Sequence, residues 1–383
     1  MSTNVLPETQ SALLVHGPRQ KYQLSSIPLP NFQSEDEVLV RIDAIGLNPV
    51  DWKSVAYNFA LPVLPALNGR DLAGTVVRIG SQVERFRVGD RVFAVSTNYR
   101  DYRTSSFQQY AVASSHCLGL VPPNVTTEES AALGSSFFTS SSILSRVDLF
   151  LLADQSGVGV STAAIALSST LGIRIRDFAS FELGIGSEGE LDRSTLPPPI
   201  EQGEWLLIWG ASCVTGFFAA QFARLAGLKV IAVVCEKKHG DRLRKIGVEH
   251  VVDRHDPISA ISQIRSITSD KLKFAIDCVG SETAGFAQRG LRSEGESWLV
   301  GLSGLPKELR EGVNGRSVPI KTVHTNNRIG SGLMKLIEEL LASNELVLPD
   351  ITVLEGGLEV VNDGLEKLRT GAVSFGRIVV KAN

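Results

Sequence analysis

No two cysteines in this chain form a CxxC pair. The four (Cys117, Cys213, Cys235, Cys278) are scattered through 383 residues. That excludes a disulfide framework and a structural zinc site built on paired thiols. Only six histidines are present, none paired at metal-ligand spacing. No apolar run reaches the roughly 18 residues that a membrane span needs. The opening MSTNVLPETQ has neither the basic nor the apolar region of a signal peptide, so the expected location is the cytosol. Basic residues are not in surplus: the formal net charge is −3, which argues against a dedicated nucleic-acid binder. No Ser-His-Asp set or Cys-His pair stands out, so hydrolysis and acyl transfer find no support. No internal repeat appears.

What is present reads as two domains, the default for a chain too long for one ordinary core. Residues 11 to 120 are strand-rich. EVLVRIDAIGL, DLAGTVVRIG and GDRVFAV are short apolar runs punctuated by Gly and Asp. NPVDWKS, from Asn48 to Ser54, reads as the turn that ends the first of these. Near residue 200 the texture changes. STLPPPIEQGE reads as a linker, WLLIW as a buried strand, GASCVTG as a loop, FFAAQFARLAGL as a helix and KVIAVV as the next strand. This βαβ unit predicts a parallel sheet with helices on both faces. The pattern continues through HVVD, ISQIRSIT, FAIDCVG and ESWLVGL. LMKLIEELLASNEL and GLEVVNDGLEKLRTG then read as helices, and RIVVK as a last strand. The expected class is α/β. A β-rich domain spans 1–195 and 325–383, and a doubly wound nucleotide-type domain spans 196–324.

The strongest chemical signal runs from Gly210 to Gly216. A buried strand delivers the chain to a glycine-bearing turn at a helix N-terminus. Backbone N–H groups and the helix dipole there suit a pyrophosphate. The usual fingerprint is GxGxxG; counted from Gly210, Ser212 replaces its middle glycine and the last falls at Thr215, one residue before Gly216. The next strand ends in CEKKH, where a ribose would lie. Glu236 suits the ribose hydroxyls of NAD, while Lys237, Lys238 and His239 suit the 2′-phosphate of NADP. The cations outnumber the acid, which favours NADPH.

These features resemble the medium-chain dehydrogenase/reductase superfamily, with its GroES-like β-rich catalytic domain and Rossmann-type domain. Within it the chain is similar to the zinc-free, trans-acting enoyl reductases of fungal polyketide pathways. GLNPVDWKS, GRDLAGTVVRIGSQVERFRVGDRVF, STAAIALSSTLGI, IWGASCVTG, AIDCVG and VLEGGLEVVNDGLEKLRTGAVSFGRIVVK carry the resemblance. Zinc members have a ligating Cys in the turn after the first strands and a Gly-His-Glu beyond it. Here those positions read Asp51 and Gly69-Arg70-Asp71, so no metal is expected.

The resemblance implies roles for named positions. Val50, Asp51, Trp52 and Lys53 would lie against the cofactor, with Lys53 reaching cofactor or substrate. Thr162 would lie near the nicotinamide. Ala163, Ala164, Ile165, Ala166, Leu167, Ser168, Ser169 and Thr170 would line a substrate tunnel. Ser212, Cys213, Val214 and Thr215 would hold the phosphates, and Glu236 to His239 the ribose. Leu302 and Ser303 would approach the nicotinamide, while Ser374 and Phe375 would close over the cofactor. Arg254 stands where relatives often have Tyr beside the adenosine, and an Arg there can stack on adenine or bind phosphate.

The implied reaction is hydride transfer to the β-carbon of an α,β-unsaturated thioester. Hydrogen-bond donors (backbone N–H groups, Lys53, Thr162) would stabilise the resulting enolate, and water would supply the α-proton. The implied partner is a polyketide synthase or its acyl carrier domain, and the implied state is a monomer. Two other functions remain open: a stand-alone quinone or enone reductase, and a non-catalytic nucleotide-binding subunit. One stretch fits neither neighbour. Residues 135–157, SSFFTSSSILSRVDLFLLADQSG, interrupt the family spacing between AALG and VGVSTAAIAL. Removing them restores it. We read the stretch as a retained intron translated in frame, with a genuine surface loop as the alternative.

Overall fold

The computed structural model describes residues 6–59, 61, 63–96, 98, 100–133, 159–177, 201–318, 320–373 and 376–382. The chain divides into two compact units. One joins Met1–Gly134 to Val323–Asn383, and the other is Ser135–Thr322.

The first unit opens with eight strands: β1 Thr9–Val15, β2 Gln23–Pro28, β3 Glu37–Gly46, β4 Ala66–Leu67, β5 Asp71–Ile79, β6 Arg91–Val95, β7 Tyr110–Ser114 and β8 Leu118–Leu120. Helix α1 (Pro49–Tyr57) follows β3, and α2 (Thr127–Ala131) follows β8. The expected turn at Asn48–Ser54 is therefore a helix. Asn48 is extended before it, Pro49 fits its first turn, and the Asp51 carboxylate accepts from the Asn48 N–H at 2.8 Å. Those local signals outweigh a strand-ending Asn-Pro.

The second unit holds α3 (Gly159–Ile165), β9 (Trp205–Trp209), α4 (Val214–Leu225), β10 (Lys229–Val234), α5 (Glu236–Lys245), β11 (His250–Asp253), α6 (Pro257–Thr268), β12 (Phe274–Asp277), α7 (Ser281–Gly290), β13 (Ser297–Gly301) and β14 (Val313–Arg316). Its six strands pair in the order β11-β10-β9-β12-β13-β14, all parallel. Numbered within the unit this is 3-2-1-4-5-6, the dinucleotide-binding order. Right-handed crossovers on either side of the reversal put helices on both faces of the sheet. WLLIW has no polar alternation because β9 is central and covered twice.

The chain then returns to the first unit with α8 (Asn327–Ala342), β15 (Asp350–Glu355), α9 (Val361–Arg369) and β16 (Gly376–Lys381). β16 pairs antiparallel with β3, which closes the seven-stranded sheet of that unit. Its core gathers Val40, Ile42, Phe86, Phe107, Ile378 and Val380. The core of the second unit gathers Leu207, Trp209, Ile231, Val233, Ala275 and Leu299.

The division differs from the expected one at its first boundary. Residues 159–165 pack on α4 and so belong to the second unit, not to the β-rich domain. The short strands β14 and β15 had no clear sequence signal. Their segments, VNGR and DITVLE, are polar and lie largely at sheet edges.

Candidate active site

In the first unit the candidate residues meet a buried polar network. Lys53 is 8% exposed and lies on α1, not at a solvated strand end. Burial lowers its pKa from 10.5 to about 7. Its ammonium nitrogen sits 5.4 Å from the centroid of the Trp52 ring. Val50 and Asp51 are buried beside it on the same helix. Burial raises the Asp51 carboxyl to about 7, against the lowering pull of the Asn48 N–H and of Arg70.

Around them, Tyr22 donates to the Asp51 carbonyl at 2.7 Å and accepts from Asn68 at 2.7 Å. Asn68 also reaches Ser54. Asp71, at the start of β5, is met by Arg377 Nη2 at 2.8 Å and by Asn48 Nδ2 at 2.8 Å. Arg377 is 2% exposed and also donates to Asn48 Oδ1 at 2.8 Å. Asp71 is thus one half of a buried ion pair, and Asp51 caps the helix that follows β3. Arg377 was invisible to the motif reading. Its sole sequence signal is a cation at the start of an apolar strand, GRIVVK.

In the second unit the Gly210–Gly216 loop joins β9 to α4. Gly210 has φ +86°, and a Cβ there would meet Val279 Cγ2 at 2.5 Å. A Cβ on Gly216 would meet Ala211 Cα at 2.7 Å. Both glycines are therefore required by close approach. Cys213 caps α4, its sulfur accepting from the Gly216 N–H at 3.3 Å. Ser212 precedes the cap. Thr215 is 1% exposed, and its hydroxyl has no hydrogen-bond partner among the described residues; Ser303, after β13, and Thr162, on α3, are in the same state. Three buried hydroxyls with unused donors and acceptors within this unit fit a polar ligand such as a dinucleotide. Leu302 is buried beside Ser303, its N–H held by the Asp277 carbonyl at 2.9 Å.

Residues 163–170 are all buried. Ala163–Ile165 complete α3, and Ala166–Thr170 form a wider π-type turn. Ser168 donates back to the Ala164 carbonyl at 2.6 Å.

The predicted ribose segment is the first turn of α5, not a free turn. Cys235 is the residue before the helix, and the Glu236 N–H donates to Asp253 at 3.0 Å. The Glu236 carboxylate pairs with Arg244. Lys237 and Lys238 are exposed. His239 has its pKa lowered by burial first, then by the charges of Arg254, Lys238 and Arg242. A cationic group of Lys237, Lys238 and Arg254 therefore stands at the end of β10 and β11, with His239 beside it held toward its neutral form. Arg242 joins it from one helical turn further on. Among the described residues, one further set of possible metal ligands converges here: Cys235, Asp253 and His255, with ligand atoms within 4.8 Å of one another. The Asp253 carboxylate is already used by the His255 N–H and Nδ1 and by the Glu236 N–H. Ser374 and Phe375 lie outside the described residues, as does 135–157.

A parallel 3-2-1-4-5-6 sheet with a glycine cradle at its first strand, in one chain with a GroES-like β-domain, is the make-up of a nicotinamide-dependent oxidoreductase. The Alcohol dehydrogenase GroES-like domain family matches residues 34–129, and the Zinc-binding dehydrogenase family matches 215–339. The chain belongs to the medium-chain dehydrogenase/reductase superfamily. It is 27% identical to the trans-enoyl reductase caaB of Aspergillus niger over 405 aligned positions, which cover 99% of this chain and 98% of that protein. It is 27% identical to lovC of Aspergillus terreus, the enoyl reductase component of lovastatin nonaketide synthase, over 98% of this chain and 97% of that one. Among solved structures, an alcohol dehydrogenase superfamily protein from Novosphingobium aromaticivorans superposes with a TM-score of 0.73 at 20% identity, covering 98% of this chain and 100% of that one.

Proposed function

We propose that this chain is an NADPH-dependent enoyl reductase that acts in trans on α,β-unsaturated polyketide thioesters carried by a partner synthase. The observation that carries the reading is similarity along nearly the whole chain to proteins named as trans-enoyl reductases. Specificity for NADPH rests on the cations at α5. The acid that would favour ribose hydroxyls, Glu236, is engaged by Arg244, while Lys238, Arg242 and Arg254 concentrate positive charge around His239.

When bound, the nicotinamide supplies a hydride to the β-carbon of the enoyl thioester. The protein then has to stabilise negative charge on the thioester oxygen. Lys53, in its protonated form, is the donor we assign to that oxygen. The Thr215 and Ser212 hydroxyls and the α4 N-terminus are the phosphate holders. Water delivers the α-proton. We take the reaction to be metal-free, because Asp71 is held by Arg377 and Asn48, and Asp51 by the Asn48 N–H.

Cofactor titration tests the reading. NADPH binds more tightly than NADH, and replacing Lys237 and Lys238 by Ala narrows the gap by roughly 1–3 kcal/mol. Equal affinities in the unmutated protein refute the assignment. NADPH binding without reduction of any enoyl thioester, enone or quinone makes the chain a binding subunit instead.

A further inference from the structure

The second unit brings two of its cysteines together at the point where strand order reverses. β9 and β12 are parallel neighbours, with Trp209 opposite Asp277. The next residue on one strand is Gly210, and on the other it is Cys278, whose N–H donates to the Trp209 carbonyl at 2.9 Å. The Cys278 Cβ lies 3.4 Å from the point that a Gly210 Cβ would occupy. The Cys213 N–H donates to the Gly210 carbonyl at 3.1 Å, so the loop folds Cys213 back over the same strand ends. Both thiols thus flank Gly210, and both are free.

We propose that Cys213 and Cys278 are a redox modification site, at which a low-molecular-weight disulfide converts the dithiol to an intrachain disulfide and releases the bound dinucleotide.

The surroundings divide the roles. The Cys213 thiol is held below its ordinary pKa by the hydrogen bond with Cys278, and then by the N–H groups of Gly216 and Thr215 at the start of α4; its burial and the nearby Asp277 act the other way. Cys278 is buried and raised, first by the same thiol pair and then by burial. Cys213, half-buried, is therefore the attacking thiolate, and Cys278 is the resolving group. In the first step Cys213 Sγ attacks one sulfur of a glutathione-type disulfide and expels one glutathione thiolate. In the second, Cys278 loses its proton to solvent and attacks Cys213 Sγ, forming the intrachain S–S bond and expelling the glutathione bound there. The protein loses two electrons, and the glutathione disulfide gains them.

The link to binding is the helix cap. Cys213 Sγ holds the Gly216 N–H in the reduced protein. A bond to Cys278 draws that sulfur toward β12 and reshapes the loop that presents N–H groups to the phosphates. This consequence rests on the reading that the loop holds NADPH.

The test incubates the full-length chain with oxidised glutathione. Peptide mapping without reduction should find Cys213 joined to Cys278. The NADPH dissociation constant should rise by roughly ten-fold, as expected when about one charge-assisted hydrogen bond is lost. Dithiothreitol should restore both. Under the same oxidant, Cys278→Ala should give no linked peptide and should instead retain glutathione on Cys213. Absence of the linked peptide overturns the inference, and so does a linked protein that binds NADPH as before. If Cys278→Ala does not fold, Cys278→Ser takes its place, and the mapping on the unmutated chain stands without either. A reduced protein that fails to bind NADPH sinks the proposed function instead, so the two failures are distinguishable.

Discussion

Lys53 and Asp51 sit two residues apart on one buried helix, and burial moves them in opposite directions. Lys53 falls from 10.5 to about 7, and Asp51 rises from 3.8 to about 7. Between pH about 7 and 10.5 the unfolded chain keeps a Lys53 proton that the native chain has lost, so this group makes stability rise with pH. Between 3.8 and about 7 the native chain keeps an Asp51 proton that the unfolded chain has lost, so this group makes stability fall as pH rises. Urea midpoints against pH should show both slopes. Lys53→Met should flatten the first and Asp51→Asn the second, since Asn retains an acceptor for the Asn48 N–H. Slopes unchanged by these substitutions would show that other groups set them. If protonated Lys53 supports the enolate, turnover also falls as pH rises through about 7. Arg377 makes a different kind of contribution. It is a buried cation facing a buried carboxylate, and removal of one partner of such a pair typically costs about 3–5 kcal/mol. Arg377→Met should lower thermal stability on that scale, and adding Asp71→Leu should recover part of the loss. A midpoint unmoved by Arg377→Met would show the pair to be energetically silent.

At the scale of elements, the sequence was most informative where burial imposes a pattern. WLLIW, KVIAVV and FAIDCVG have the apolar continuity of covered parallel strands, and all three pair as parallel neighbours or next to one. The glycine loop was equally legible, because only glycine permits the approach that Gly210 and Gly216 make. Legibility failed where short-range and tertiary signals compete. Asn48-Pro49 ends a strand and also begins a helix, and Asp51 decides between them by capping it. CEKKH looked like a turn because its charges hide a helix that buries only Gly240 and Leu243. The site was readable in its motifs and unreadable in its partners. Arg377 lies 306 positions from Asp71, and no local pattern announces a contact of that range. Gly216→Val tests the cradle. Its side chain meets the Ala211 backbone, so overpacking should cost about 1–3 kcal/mol and should weaken nucleotide binding. Full nucleotide affinity in that variant would show that α4 need not approach the loop so closely.

For the whole molecule, residues 135–157 are the segment that interrupts the spacing expected of the family. If that stretch is a retained intron, transcript sequencing finds a spliced form, and the chain lacking these residues is the more stable and more active reductase. A transcript that keeps them, together with a deletion variant that fails to fold, makes the segment part of the enzyme. The central claim concerns the reaction. It is tested most directly by single-turnover reduction of an α,β-unsaturated acyl group loaded on an acyl carrier domain, followed by mass spectrometry of the carrier. The account predicts that one NADPH is oxidised per acyl chain and that the chain gains two hydrogen atoms, with a quinone reduced far more slowly. An untouched carrier-bound enoyl group, with NADPH consumed only on free quinones, would contradict it.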